Sequence, residues 1–239
     1  MATVRLMTYN VHRCIGLDGR HRPERIAAIL ARFDPDVACL QELDVNRPRT
    51  GRVDQPRRIA DALQMDAHFH GAVRVAEEEF GAAVLSRLPM RKVRSGPLPT
   101  LLGMKLEPRA ALWVEVRARG RPMQVLTAHL GLTRGERRVQ ADLLLGEEWL
   151  GHPDCRPPRL LCGDFNMTPR SPAWRRLARA LRAVAGDRPP ATWPSFLPLV
   201  PLDGVFADPE VEVRGVEVPS DRSVWMASDH LPVVVDLEI

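Results

Sequence analysis

Hydrophobic positions along the chain switch repeatedly between two periods. From Val4 to Val11 they run almost unbroken and β-rich up to a polar loop, which reads as a buried strand. Ile26, Ile29, Leu30 and Phe33 instead mark one face of an amphipathic helix over Pro23 to Phe33. Pro23 suits the first turn of that helix, where its missing N–H costs nothing. After the Asp34-Pro35 breaker, the apolar run Asp36 to Leu40 predicts a strand that stops at Gln41 and delivers Glu42 to a loop. Asn46 to Asp54 is polar and Arg-rich, and helical spacing returns through Ile59, Ala60 and Leu63 over Gln55 to Leu63.

Four runs, Ala82 to Leu85, Arg91 to Arg94, Ala111 to Val116 and Met123 to Ala128, then predict successive antiparallel strands separated by Pro, Gly and charged turns. Helices are expected over Glu136 to Leu150 and Ser171 to Leu181, with a buried strand, Arg159 to Cys162, between them. Leu202 to Phe206, Val211 to Val218 and Leu231 to Leu237 close the chain as strands. Pro189 to Pro201 is the most Pro-rich stretch, and at about a dozen residues it reads as a surface loop rather than a linker. Strand pairs with intervening helices point to an α/β protein with mixed sheets, not a purely parallel, doubly wound one.

The length of 239 residues fits one domain spanning 1–239. An apolar share of 45% against 27% charged supplies a sizeable core and argues against disorder. The formal charge of +4 comes from a basic side that is almost all Arg, with Lys92 and Lys105 the only lysines. That suits anionic partners, because the guanidinium fork matches phosphate oxygens, although coding-DNA composition produces the same bias. Cys14, Cys39, Cys155 and Cys162 form no CxxC pair and are expected to be reduced core thiols. The N-terminus lacks a basic region followed by a long apolar stretch, and no run approaches the ~18 apolar residues of a spanning helix. A cytoplasmic monomer is therefore expected.

Polar residues stranded at strand ends are the candidates for chemistry: Asn10, Gln41-Glu42, His129, Gly163-Asp164-Phe165-Asn166 and Ser228-Asp229-His230. Strand ends on a rigid scaffold are where side chains can be held to the tolerance that positional catalysis needs. Taken singly, each has an ordinary explanation. Asn10, Asp164 and Asn166 could be turn formers, Glu42 a solvated carboxylate, His129 a hydrogen-bonded core histidine, and Asp229-His230 a surface turn.

Taken together, MTYNV, LQELD, TAHL, GDFN and SDHLPV occur in an order and spacing that resembles the endonuclease/exonuclease/phosphatase superfamily, from Thr8 to Val233. The resemblance implies a four-layer α/β/β/α sandwich, with two mixed sheets packed face to face and an active site at one edge. It implies metal binding by Glu42, Asn10 and Asp229, and catalysis by His129, Asp164, Asn166, Asp203 and His230. In that scheme Asp164 and Asn166 orient or deprotonate the attacking water, and Asp203 of LDGVF orients His230. His129, Asn166 and Arg109 of EPRAALWVEV would contact phosphate, His129 alternatively protonating the leaving oxygen, and Arg109 could equally form a surface ion pair. TAHL resembles the deoxyribonuclease, sphingomyelinase and inositol phosphatase branches, whereas the exonuclease-III-like branch lacks this histidine. Three departures stand out. His12 occupies the place where some abasic-site enzymes have a metal-binding Asp, the residue orienting His129 could be any of Glu77, Glu78 and Glu79, and the family's phosphate-side tyrosine has no clear match, since Tyr9 lies in a strand.

Such a set makes chemical sense. A phosphodiester is an anion that resists attack, so a catalyst must neutralise its oxygens and deliver an in-line nucleophile. Mg²⁺, with Mn²⁺ as substitute, suits oxygen ligands, while no Cys/His cluster has zinc spacing. The expectation is a metal-dependent phosphoesterase acting on a small or lipid-derived phosphodiester. The alternative is a nuclease whose Arg-rich loops, Arg47 to Arg58 and Arg134 to Arg138, track a nucleic-acid backbone. Against that stand an aromatic content of only 5%, where single-strand binders stack bases on exposed rings, and tryptophans whose contexts read as packing. A non-catalytic binding module of the same fold is the remaining reading, opposed by the presence of every expected acid, amide and imidazole.

Overall fold

The computed structural model describes residues 2–101 and 106–239. Strand β1 (Thr3–Asn10) leads to helix α1 (Pro23–Phe33), β2 (Val37–Val45) and helix α2 (Gln55–Leu63). Five strands follow: β3 (Asp66–Val75), β4 (Glu78–Ser86), β5 (Met90–Leu98), β6 (Arg109–Ala118) and β7 (Arg121–His129). Helix α3 (Arg134–Leu145), β8 (Arg159–Asp164), helix α4 (Pro172–Ala180), β9 (Arg182–Ala183), β10 (Asp203–Ala207), β11 (Glu212–Glu217), the short helix α5 (Arg222–Trp225) and β12 (Val233–Glu238) complete the chain.

The strands form two six-stranded sheets, ordered β11-β12-β1-β2-β4-β3 and β5-β6-β7-β8-β10-β9. Each is mixed, with one parallel pair near its centre, β1/β2 in the first and β7/β8 in the second. Alternation along the strands sorts the core into three seams. Val4, Leu6, Val37 and Cys39 of the first sheet pack against Val114, Val125, Leu160 and Cys162 of the second. The opposite face of the first sheet buries Met7, Tyr9 and Leu40 against Ile26 and Leu30 of α1 and Ile59 of α2. Trp113, Leu126 and Leu161 of the second sheet meet Leu144 of α3 and Trp174 and Leu177 of α4. The result is the α/β/β/α sandwich expected. All four cysteines are free and buried, and among the described residues no helix is long and apolar enough to cross a membrane.

Helices α1 and α2 run between the bounds read from the sequence, because both have strong local signals. Each has Pro in its first turn and ends on a left-handed residue, Asp34 or Gln64, and the Asp54 side chain caps α2 by accepting from Arg57 N. Helix α3 differs from the expected Glu136 to Leu150. A Thr133/Glu136 capping box starts it earlier, and it stops before Gly146. Strand β3 has no counterpart in the expected elements. Its sequence DAHFHGAVRV is half-exposed along its length and shows no apolar alternation, as befits an edge strand. Glu42 lies inside β2, not on a following loop.

Candidate active site

The same alternation that builds the central core also delivers polar groups to one rim. In β1 the row Val4, Leu6 continues as Thr8 and Asn10; in β2, Val37 and Cys39 continue as Gln41; in β7, Met123 and Val125 continue as Thr127 and His129; in β8, Leu160 and Cys162 continue as Asp164. Antiparallel β10 contributes Asp203 at its start. Register aligns these ends, with His129 paired to Asp164, Asp164 to Asp203, and Asn10 to Gln41. Gly163 is required for this approach. It sits at φ +144°, and a Cβ there would lie 1.9 Å from the Ala128 carbonyl oxygen.

At the floor of the rim, Gln41 Nε2 lies 3.1 Å from Thr8 Oγ1 and 3.0 Å from Thr127 Oγ1, joining the two sheets. Above it, Asn10 Nδ2 donates to Glu42 Oε1 and to Asp164 Oδ2, both at 3.0 Å. The β2/β4 register shifts between Leu40 and Leu43, and Glu42 takes φ 60° there. This bulge re-aims a side chain that strict alternation would turn toward the α1/α2 layer. Asp164 also accepts from Asn166 N at 2.9 Å and lies 3.3 Å from His129 Nε2. Asn166 Nδ2 reaches Leu130 O at 3.0 Å and His129 Nε2 at 3.1 Å. His230 Nδ1 bonds Asp203 Oδ2 at 2.8 Å, and its Nε2 lies 3.8 Å from Asp164.

Burial and charge set the protonation states. Burial raises Asp164, and the Asp203 carboxylate adds to the effect. The His230 charge and the Asn10 and Asn166 donors oppose it, leaving Asp164 at about 7. Burial disfavours the His230 imidazolium, but the Asp203 charge and hydrogen bond, with Asp164 and Asp229, outweigh it and raise the group to about 10. His129 moves the other way: burial first, then the Arg109 and His230 charges, hold it well below the usual histidine range. At neutral pH His230 is therefore charged and His129 neutral.

Glu42, Arg109, His129, Asp164, Asn166, Asp229 and His230 all line one open cavity of about 500 Å³. Asn10 and Asp203 stand directly behind it, bonded to its lining residues. Arg109 forms an ion pair but is not itself at the surface. It is buried, with its guanidinium 2.9 Å from the His129 ring nitrogens and 3.0 Å from Glu107. None of Glu77, Glu78 and Glu79 is a hydrogen-bond or ion-pair partner of His129. Glu79 pairs with Arg74 and Glu78 with Arg47, while the Glu77 carbonyl accepts from Asn46. Tyr9 points to the opposite face of β1, into the α1 layer.

Several contributors escaped the sequence reading. The Pro-rich stretch buries Thr192 and Ser195. Thr192 Oγ1 accepts from Asp203 N at 3.2 Å, and Ser195 N donates to Asp229 O at 2.8 Å, so this loop braces both acids. Its Trp193, expected to be packing, is 39% exposed and lines the cavity together with Leu132. His12 and Arg13, in a turn with positive φ, line it as well. A Thr or Ser among prolines was the available signal.

The donors suit a hard cation. Among the described residues, Glu42 Oε2 meets no donor and Asp229 has no Arg or Lys partner, His12 at 3.7 Å being its nearest counter-group. Asp164, Asp203 and His230 also bring ligand atoms within 4.8 Å of one another, a group that could hold a metal, although Asp203 and His230 are already engaged with each other.

Residues 7–230 match the profile of the Endonuclease/Exonuclease/phosphatase family. No curated protein sequence matches the chain. Among solved structures, an endonuclease/exonuclease/phosphatase from Beutenbergia cavernae is 26% identical, covering 100% of this chain and 72% of its own, with a TM-score of 0.78. A mannosyl-6-phosphatase of Bacteroides thetaiotaomicron is 20% identical over 99% of this chain and 100% of its own, with a TM-score of 0.81. The human Nocturnin catalytic domain, solved with a bound sulfate, is 21% identical over 99% and 93%, with a TM-score of 0.73.

Proposed function

The chain belongs to the endonuclease/exonuclease/phosphatase family, and on that premise we propose that it hydrolyses phosphodiesters of a small or lipid-derived molecule with the help of a divalent cation. The observation that carries the proposal is the convergence of Glu42, Asp164, Asp229, His129, His230, Asn166 and the buried Arg109 on one cavity.

Glu42 and Asp229 are the carboxylates that would hold the cation, with Asn10 fixing Glu42 through its amide N–H. A bound Mg²⁺ or Mn²⁺ supplies neutralisation of the phosphate oxygens. Asp164, raised to about 7, has the basicity to accept a proton from water near neutral pH, and Asn166 positions that water and a phosphate oxygen. His230, kept charged by Asp203, faces the negative charge that develops on attack. His129 is neutral, so it serves best by donating a ring N–H to phosphate, alongside Arg109.

The nuclease alternative is favoured by one observation, a group of arginines bordering Asn166. The primary test is hydrolysis of bis(p-nitrophenyl) phosphate with Mg²⁺ or Mn²⁺. Turnover is expected to stop on addition of EDTA and to return with excess metal. Turnover undiminished by chelator would overturn the metal-dependent site.

A further inference from the structure

A second cavity, of about 410 Å³, adjoins the catalytic one, with Asn166 and Leu202 lining both. Its walls include Arg134, Arg137 and Arg170, and among the described residues none of the three has a carboxylate within ion-pair distance. Elsewhere on the molecule arginines such as Arg91 and Arg159 are paired with acids. Glu136, the acid nearest in sequence, is turned back into the capping box, its Oε2 accepting from Thr133 N and Oγ1. Arg137 donates to Leu132 O at 2.6 Å, while its Nε is buried with no acceptor. Burial and the neighbouring Arg134 charge push Arg137 below its usual range, with the Glu136 charge opposing them, and among the described residues no carboxylate forms an ion pair with any of the three arginines. Another wall is the N-terminus of α4, whose cap residue Ser171 makes no side-chain hydrogen bond to the first turn. A helix start of this kind offers partial positive charge and unsatisfied N–H groups to an anion.

We propose that this second cavity is a subsite for a further phosphate group carried by the same substrate molecule whose scissile ester occupies the catalytic cavity. The inference rests on the phosphoesterase reading and narrows it to substrates with at least two phosphates. Guanidinium forks grip tetrahedral phosphate oxygens in a way that suits three convergent arginines. The second phosphate has two sources, a small bisphosphate or the neighbouring nucleotide of a strand.

The test compares the p-nitrophenyl ester of thymidine 5′-phosphate with the same ester bearing a 3′-phosphate, and with a thymidine tetranucleotide, in the presence of Mn²⁺. The 3′-phosphorylated ester is expected to show a KM lower by about tenfold or more, the usual weight of charge-assisted contacts. In the Arg134→Ala/Arg170→Ala variant that preference should fall to near one. A lower KM for the tetranucleotide than for the small bisphosphate supports a strand as the source, and the reverse supports the small molecule. Calorimetric binding of thymidine 3′,5′-bisphosphate, expected for the wild type and lost in the variant, gives a readout independent of turnover. Equal KM values for the two esters in the wild type, or a preference unmoved in the variant, overturn the subsite. If no ester turns over yet bisphosphate binding is still lost in the variant, hydrolysis fails and the subsite stands. Neither turnover nor binding overturns both.

Discussion

The two sheets meet at one cavity but bring different chemistry to it. On the second sheet His129, Asp164 and Asp203 are nearly inaccessible and already engaged, with one another, with His230 or with Asn166. On the side of the first sheet Glu42 and Asp229 are partly exposed, and each keeps one carboxylate oxygen without a protein donor among the described residues, the other accepting from Asn10 or from Ser228. Desolvated groups hold shifted protonation states that are fixed when the chain folds, whereas half-solvated oxygens stay available to a ligand that comes and goes. One side of the cavity is thus set by folding, and the other is completed by what binds.

Substitution of each side should separate these behaviours. The largest effect is expected from His230→Ala, which removes the buried positive charge. Turnover should drop by about 10²–10⁴-fold while binding of Mn²⁺, followed by calorimetry, is retained; loss of metal binding in this variant would erase the division between the sides. Glu42→Gln should act the other way, raising the Mn²⁺ concentration for half-maximal rate by about tenfold or more, with partial recovery at saturating metal. A near-normal metal requirement would move the cation away from Glu42.

A pH comparison sharpens the contrast further. Asp164 at about 7 and His230 at about 10 both stand above their ordinary values of 3.8 and 6.5. Groups with raised values stabilise the fold fully below the unfolded value and lose that contribution as pH climbs to the folded one. His129, held below its ordinary value, works in the opposite direction up to pH 6.5, so metal-free protein in EDTA should lose stability most clearly from about pH 6.5 to about 10. In Asp203→Asn, which deletes the charge that raises both groups, the denaturant midpoint should vary less over that range. An unchanged slope would show that Asp203 does not set these states. The smallest effect is expected for Thr192→Val, which leaves Asp203 N without its acceptor. It should cost ~1–3 kcal/mol of stability by urea titration, with a modest loss of rate. A rate loss matching that of His230→Ala would make Thr192 part of the chemistry itself.

Legibility in the sequence tracked how local the determinants were. Helices α1 and α2 could be read to their ends because their caps and prolines lie within a few residues of the turns they govern. Asn10, His129 and Asp164 were visible as polar groups interrupting apolar rows at strand ends, and the structure brings Asn10 and His129 within hydrogen-bond or ion-pair reach of Asp164. Strand β3 was not visible, since an edge strand half-exposed along its length shows no apolar alternation. The brace from Thr192 and Ser195, and the exposed ring of Trp193, were hidden because a Pro-rich loop has no period from which to infer which side chains turn inward. Arg109 was marked by its place in EPRAALWVEV, with a phosphate contact and an ion pair equally open, and its burial is what only the structure adds.

The pairing of His129 with Asp164 and of Asp164 with Asp203 occupies a single rung of the second sheet. Sliding β8 by one residue would turn the Asp164 side chain toward the outer helices and bring Gly163 or Phe165 to its place, because neighbouring positions of a strand face opposite ways. Misaligned molecules would then be inert rather than sluggish. After refolding, specific activity should count the fraction of chains with the correct alignment, and it should fall in proportion to that fraction with KM unchanged.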